Sequence, residues 1–389
     1  MPDGRDAVAI KVLQSLSEVS PEAWNACAGD ANPFVRHEFL SALEDSGSAT
    51  RETGWLGQHL VIEDASGTLA ACAPLYLKNH SYGEYVFDWA WADAWRRMGL
   101  SYYPKLVTAI PFTPATGPRL LCGPGVDPAG AWAALLEGVK QLAGRRGLSS
   151  WHVLFPEPET AAMLEGLGLA TRHAVQFHWF NRGYADFDDF LATFASRKRK
   201  ALRRERRRVA EQGLALRTLT GGEIRPADWA TFHRFYQLTY AKRSGHGGYL
   251  NRAFFTEVAP RLGDQVVMVL AERDGRDVAG ALYFRGADTL YGRYWGCEEE
   301  FDCLHFEACY YRGIDYCIAE GIGRFDPGAQ GEHKIQRGFE PIHTRSSHWI
   351  AEPALADAVA AFTREELDHV ESYRREAAKL LPFRAEDAG

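Results

Sequence analysis

No window of about eighteen consecutive apolar residues occurs in the 389-residue sequence, so a membrane-spanning helix is not expected. The opening Met1-Pro2-Asp3-Gly4 carries no basic stretch with an apolar run behind it, and the expectation is a soluble, cytoplasmic protein without a secretory leader. Cysteine is sparse: seven are scattered at positions 27, 72, 122, 297, 303, 309 and 317, with no CxxC pair. That pattern argues against a disulfide framework and a zinc site, and leaves them as small core residues with no metal to hold. A G-x-S-x-G elbow, a P-loop and an HExxH pair are all missing, which removes the templates those motifs carry.

What is present is enough apolar material for two cores, 46% hydrophobic and 12% aromatic, in a chain too long for one. Its charge is unevenly spread. Nine Lys or Arg lie between Arg197 and Arg208 against one acid, Glu205, while the formal net charge of the whole is −7, so the remainder is strongly acidic. Ala, Leu, Arg, Lys and Glu favour a helix here; Asp188 and Asp189 suit its first turn and Gly213 its left-handed cap. The plain reading of this basic segment, 186–213, is a solvated connector. The sharper one is a strip on which Arg199, Lys200, Arg203 and Arg204 dock a polyanion such as tRNA. The acidic remainder excludes a broad nucleic-acid surface.

The segments on either side of this connector repeat one another. Glu18, Pro21 and Trp24 match Glu223, Pro226 and Trp229; Gly67, Ala71 and Ala73 match Gly275, Ala279 and Ala281; Tyr85 and Trp89 match Tyr291 and Trp295. Gly147 then matches Gly321, and Gly168, His173, His178 and Trp179 match Gly338, His343, His348 and Trp349. Order is kept throughout, and the drop in offset partway places about 32 extra residues in the first half. This insert, near 90–125, is rich in proline and aromatics, and its Phe112, Thr113 and Arg119 could wall a groove between the halves, Arg119 holding a carboxylate or phosphate. The matched histidines read as structural. The expected division is a domain at 1–185, the basic helix at 186–213 and a second domain at 214–389.

The second half parses as helices at 226–242 and 251–262, a three-strand meander at 265–296, a helix at 303–320, a short strand near 322–326, and a Gly-rich turn leading to a last strand. This order, with the ending Arg337-Gly338-Phe339-Glu340, resembles the GNAT acyltransferase fold. Two such halves joined by a basic helix resemble the Fem-type transferases, and the segments Tyr294-Trp295-Gly296-Cys297-Glu298-Glu299, His305-Phe306-Glu307-Ala308 and Gly328-Ala329-Gln330-Gly331-Glu332-His333-Lys334 are the most specific part of that resemblance. It implies an α/β protein with mixed sheets, two tandem GNAT-like domains. The implied activity is N-acyl transfer from aminoacyl-tRNA or acyl-CoA to an amine on a small molecule or peptide, with no tightly bound cofactor. A non-catalytic small-molecule or peptide module whose basic helix grips an anion is the rival reading.

The resemblance also implies where the chemistry sits. Glu298 or Glu307 would take a proton from the incoming ammonium, His305 would relay it, and Tyr310 would protonate the leaving group. Lys334, after a glycine loop with exposed N–H groups, would hold a substrate anion or transition-state oxygen; Trp295, Gln330, Gly331 and His333 would contact substrate. Where coenzyme A users carry a Gly-rich pyrophosphate loop, this chain has Gly296-Cys297-Glu298-Glu299-Glu300-Phe301-Asp302, whose acids would repel that group.

Overall fold

The computed structural model describes residues 10–245, 247–329 and 331–384; Gln330 lies outside the described residues. In chain order the regular elements begin with β1 (Ile10–Leu13), α1 (Pro21–Ala28), α2 (His37–Asp45), β2 (Leu56–Gly57), β3 (His59–Glu63), β4 (Leu69–Ala73) and β5 (Tyr76–Lys78). They continue with α3 (Trp89–Arg97), β6 (Lys105–Thr108), β7 (Leu121–Cys122), α4 (Pro128–Arg146), β8 (Ser150–Leu154), α5 (Pro158–Gly166) and β9 (Ala170–Phe180). Then come α6 (Phe187–Ala192), α7 (Ser196–Glu211), β10 (Ala215–Thr220), α8 (Pro226–Ser244), α9 (Arg252–Leu262), β11 (Val266–Arg273), β12 (Arg276–Arg285) and β13 (Thr289–Cys297). The last are α10 (Leu304–Phe306), α11 (Arg312–Ala319), β14 (Arg324–Asp326), β15 (Glu340–Ile350) and α12 (Pro353–Ala378). Among the described residues no helix is long and apolar enough to cross a membrane.

Two compact units result, and neither is a single stretch of chain. Unit 1 comprises residues 1–174 and 344–369, unit 2 residues 175–343 and 370–389. In unit 1, β1, β3, β4 and β7 form one antiparallel sheet. A second sheet joins β2, β5, β6 and β8 to the C-terminal end of β15, with β6 parallel to β8 and Trp349 opposite Trp151. Unit 2 has β10, β11, β12 and β13 as an antiparallel run, then β14 parallel to β13, then the end of β9, where Trp179 faces Phe325. Each half of the sequence thus contributes the end of its last strand to the other unit.

The repeat read from the sequence is visible in local structure. Ser15 and Glu18 close a capping box over a 3-10 turn just before α1, and Thr220 and Glu223 do the same before α8; Pro21 and Pro226 open the two helices. The basic segment reads as one helix in the sequence but is two, α6 and α7, broken at 193–195 where Thr193 returns its hydroxyl to the Phe190 carbonyl at 2.7 Å. Phe187, Phe190, Leu191, Phe194 and Leu202 bury the inner side of the pair in the unit 2 core.

The helix expected at 303–320 is present but irregular. Between α10 and α11 the stretch Glu307–Tyr311 forms a π turn, with the Ala308 carbonyl taken by the Tyr283 hydroxyl. Such turns are rare and concentrate at functional sites. Glycine lets elements approach closely here: a Cβ on Gly313 of α11 would stand 2.5 Å from the Phe325 ring of β14, and one on Gly296 of β13 2.2 Å from the Phe235 backbone of α8.

Candidate active site

In unit 2, β12, β13 and the π-turn helix enclose a slot of about 120 Å³, lined by Gly292, Trp295, His305, Cys309, Tyr310 and Pro327 among others. Water occupies about 30 Å³ in the liquid, so a reacting carbonyl and its nucleophile fit. Trp295 and His305 also line a larger pocket of about 640 Å³, whose other walls include Lys242, Arg243 and the three glutamates Glu298, Glu299 and Glu300. The slot is therefore the inner neighbour of a roomy, mixed-charge vestibule.

Behind the slot lies the loop that follows β14. Asp326 is fully buried, bound to Arg293 at 2.6 Å, and accepts the Gly328 N–H at 2.9 Å. Burial works against its charge, yet Arg293 and His178 bring its carboxyl down to about 2. Gly328 and Gly331 both have positive φ, 96° and 113°, so the chain folds back and a 3-10 turn, Glu332–Arg337, carries Lys334 inward. Lys334 is 1% exposed, and its Nζ donates to the Gly328 carbonyl at 2.6 Å, one residue past Pro327 of the slot lining. Burial lowers its ammonium to about 8, the nearby acid Asp326 being already matched by Arg293. At neutral pH it is a buried cation with no carboxylate of its own among the described residues.

The rings around it are neutral. Tyr310, pushed up by burial, keeps its proton and lies 2.8 Å from His333 Nε2. Burial and then Arg337 lower His333 to about 4, so its ring is neutral and the tautomer sets which partner of the Tyr310–His333 bond donates. His305, lowered to about 3 by burial and then His333, packs edge-on against Trp295 and Tyr310 at 5.3 and 5.4 Å. A phenol, a neutral imidazole and the Arg293 side chain on the slot wall, with His333 and the buried Lys334 ammonium beyond it, suit a reaction in which negative charge develops on an oxygen.

The structure brings together His305, Tyr310, Trp295, His333 and Lys334, with Gly331 shaping the loop. Glu307, expected to accept a proton, turns toward α7: Arg206 holds it at 2.9 and 3.1 Å and Arg312 at 3.2 Å, so its charge is already matched. Glu298 stands on the vestibule wall, pairing with Arg234 at 3.2 Å and Arg276 at 3.8 Å. Phe112, Thr113 and Arg119 are interior residues of unit 1. Phe112 packs on Trp55 at 5.5 Å, the Thr113 hydroxyl donates to the Pro111 carbonyl, and the Arg119 guanidinium, 1% exposed, donates to the carbonyls of Leu154, Pro118 and Ala115. Its donors are spent on backbone and no face is left for an anion. Neither the Asp326–Arg293 pair nor the π turn has a local signal in the sequence, since both depend on long-range packing.

On α7 the inward charges are paired, while most of those along one outer groove have no acidic partner among the described residues. Glu205 binds Arg337 at 2.9 Å and the Tyr311 hydroxyl, and Arg206 bridges Glu307 and Asp315. Arg197, Lys200, Arg203, Arg204 and Arg207 line a shallow groove at helical spacing. Of these only Arg203 has an acidic partner among the described residues, exposed Asp188 at 2.8 Å. Arg199 stands half-buried beside them.

The FemAB-like family model, described as peptidoglycan biosynthesis and recognition, matches residues 15–385. The chain belongs to the FemAB-like family. It is an N-acyl or aminoacyl transferase of Fem type, which sets aside the non-catalytic module. The FemAB-like fold agrees with solved structures. FemX aligns over 88% of this chain and 98% of its own at 13% identity and a TM-score of 0.53. The C-terminal domain of a putative lysylphosphatidylglycerol synthetase from Agrobacterium fabrum aligns over 91% and 98%, at 11% identity and 0.52. A Bacteroides thetaiotaomicron protein of unknown function aligns over 87% and 99%, at 13% and 0.52. No functionally curated protein matches the sequence.

Proposed function

We propose that this FemAB-like chain takes an aminoacyl group from aminoacyl-tRNA and passes it to an amine of a peptidoglycan-precursor type of acceptor, with the chemistry at the slot beside Lys334. The observation that carries the reading is the buried Lys334 ammonium, held by one backbone carbonyl and unmatched by a carboxylate. In the proposed step the acceptor nitrogen attacks the ester carbonyl, the N–C bond forms and the ester C–O bond breaks. Lys334 stabilises the oxyanion, Tyr310 gives its proton to the leaving ribose oxygen, and His333 passes on the proton lost by the nitrogen. His305 and Trp295 shape the slot.

Two features favour tRNA over coenzyme A. The α7 stripe offers several unmatched cations at helical spacing, the footprint of a phosphate backbone. The loop before α10, where a pyrophosphate would need N–H donors, instead exposes Glu298, Glu299 and Glu300. The vestibule's glutamates suit an acceptor that arrives as an ammonium. The test is transfer of radiolabel to a peptide amine from a charged tRNA pool and, in parallel, from acyl-CoA. Transfer from tRNA alone is expected; transfer from acyl-CoA alone would overturn the donor assignment while leaving the acyl-transfer class intact.

A further inference from the structure

The 3-10 turn that carries Lys334 ends on a second buried cation, Arg337, which lines neither the slot nor the vestibule. Its guanidinium is engaged on every edge. Nη2 donates to both carboxylate oxygens of Glu205 on α7 at 2.9 Å, Nε to the Tyr311 hydroxyl at 3.0 Å, and Nη1 to the His333 carbonyl at 2.7 Å. Its central carbon stands 3.4 Å from the centre of the Phe306 ring. One side chain thereby joins four pieces of unit 2: α7, the π turn, α10 and its own turn.

A 3-10 turn has poor hydrogen-bond geometry of its own, so its shape depends on outside anchors. Two of them hold the outer side: the Tyr373 hydroxyl donates to Glu332 at 2.6 Å, and Gln336 accepts from Lys198 and donates to the Leu380 carbonyl at 3.0 Å. Arg337 holds the inner side. It grips the backbone of His333, the residue whose ring meets Tyr310 at 2.8 Å. Phe306, beneath the guanidinium, packs on the same pair, 5.6 Å from the His333 ring and 6.2 Å from that of Tyr310. The arginine therefore bears on His333 twice, through the main chain and through Phe306.

We propose that Arg337, clamped by Glu205 and Tyr311, is a positioning residue for the transfer step, holding the His333 ring against Tyr310 at the edge of the slot. The proposal rests on the reading of His333 as the proton relay and is independent of the donor. Three acceptors around one planar fork make an arrangement that a lysine cannot reproduce. Charge adds to geometry. The groups facing His333 are Tyr310 of the π turn, His305 of α10 with rings 6.1 Å apart, Lys334 and Arg337 of its own turn, and Arg243 of α8. After burial, Arg337 does most to keep the imidazole neutral.

The test uses the full chain with isotope-labelled histidine, the His333 resonance being identified by its absence in His333→Gln. In Arg337→Gln that resonance should titrate at higher pH than in the wild type, because the cation beside it is gone. In the same variant kcat for aminoacyl transfer should fall about 10²-fold, with KM for charged tRNA kept within about twofold. Arg337→Lys, which restores charge but not the fork, should bring back the titration and little of kcat. Glu205→Gln keeps the shape of the partly exposed partner and should lower kcat by a smaller factor, again with KM unmoved; it carries the test if Arg337→Gln fails to fold. An unmoved His333 resonance in Arg337→Gln overturns the proposal, and so does a loss lying wholly in KM. Unchanged turnover in His333→Gln sinks the relay reading and this proposal together. Turnover lost in His333→Gln but kept in Arg337→Gln sinks this proposal alone.

Discussion

The two halves of this chain run through the same succession of capped turns, helices, hairpin and closing strand, yet they use their buried charges in opposite ways. In unit 1, Lys105 of β6 is fully buried and bound to Glu84 at 2.7 Å, Asp88 and Ser81, with the Tyr102 hydroxyl on Asp88 at 2.6 Å. Burial alone would lower Lys105, but the two carboxylates hold it above its ordinary value. In unit 2, Lys334 has a carbonyl where Lys105 has acids, and burial wins. The helices differ in the same sense. The 19-residue α4 is regular, capped by Asp127 and Gly147, and buries Trp132, Leu135, Val139 and Leu142, whereas its counterpart at 304–319 is broken by a π turn and presents His305, Cys309 and Tyr310 to a slot. One copy spends its polar groups on holding itself together, and the other keeps them available for a substrate.

The sharpest way to break this contrast is to remove each lysine. Lys105→Met leaves two buried carboxylates without their cation and should cost about 3–5 kcal/mol of unfolding free energy, read by denaturant titration; a loss below about 1 kcal/mol would deny it a structural role. Lys334→Met should lower kcat about 10²–10³-fold in the aminoacyl-transfer assay, with a smaller change in stability than Lys105→Met because no carboxylate is orphaned. If the two variants exchange these effects, unit 1 is the working half.

Alkaline pH should separate the lysines next. The folded value of Lys334, about 8, lies below its ordinary value, so transfer that depends on the ammonium should fall about tenfold per pH unit above 8; a rate that rises through pH 8 would make Lys334 a base instead. For stability the signs are opposite. A depressed lysine binds fewer protons when folded, so its contribution is greatest above the ordinary value and declines as pH falls toward 8. The raised Lys105 contributes fully below its ordinary value and loses that contribution as pH rises through the folded one. Urea unfolding of the Lys334 variant against wild type at pH 7.5 and 9.5 checks the first sign, and for Lys105 the contribution should be unchanged over that window and lost only above about pH 10.5. The smallest effect belongs to α7: Lys200→Glu should reduce the salt slope of tRNA binding by roughly one to two ions and weaken affinity several-fold, without moving kcat at saturation.

Much of the fold was legible because its signals are local. Pro226 announces the start of α8, Gly275 the β11–β12 turn, and Gly338 the approach to β15, each matched by a residue in the first half. The break between α6 and α7 and the π turn at Glu307–Tyr311 were not legible, because each depends on where a distant group, Tyr283 in the second case, puts its hydrogen bond. Of the candidate residues, Tyr310 and His333 stand out by type alone, while Glu307 and Arg119 look equally reactive in a sequence and differ only in their partners.

The sequence by itself determined the repeated order of elements, their caps, and the placing of nine cations on one short segment, since propensity and spacing act over a few residues. Only the tertiary structure decided how each charge is met: Arg206 by Glu307, Arg293 by Asp326, Arg119 by three carbonyls, and Lys334 by the single carbonyl of Gly328. The reason is physical. The energy of a buried charge is set by what lies within a few ångströms of it, and in a folded chain those neighbours come from far along the sequence.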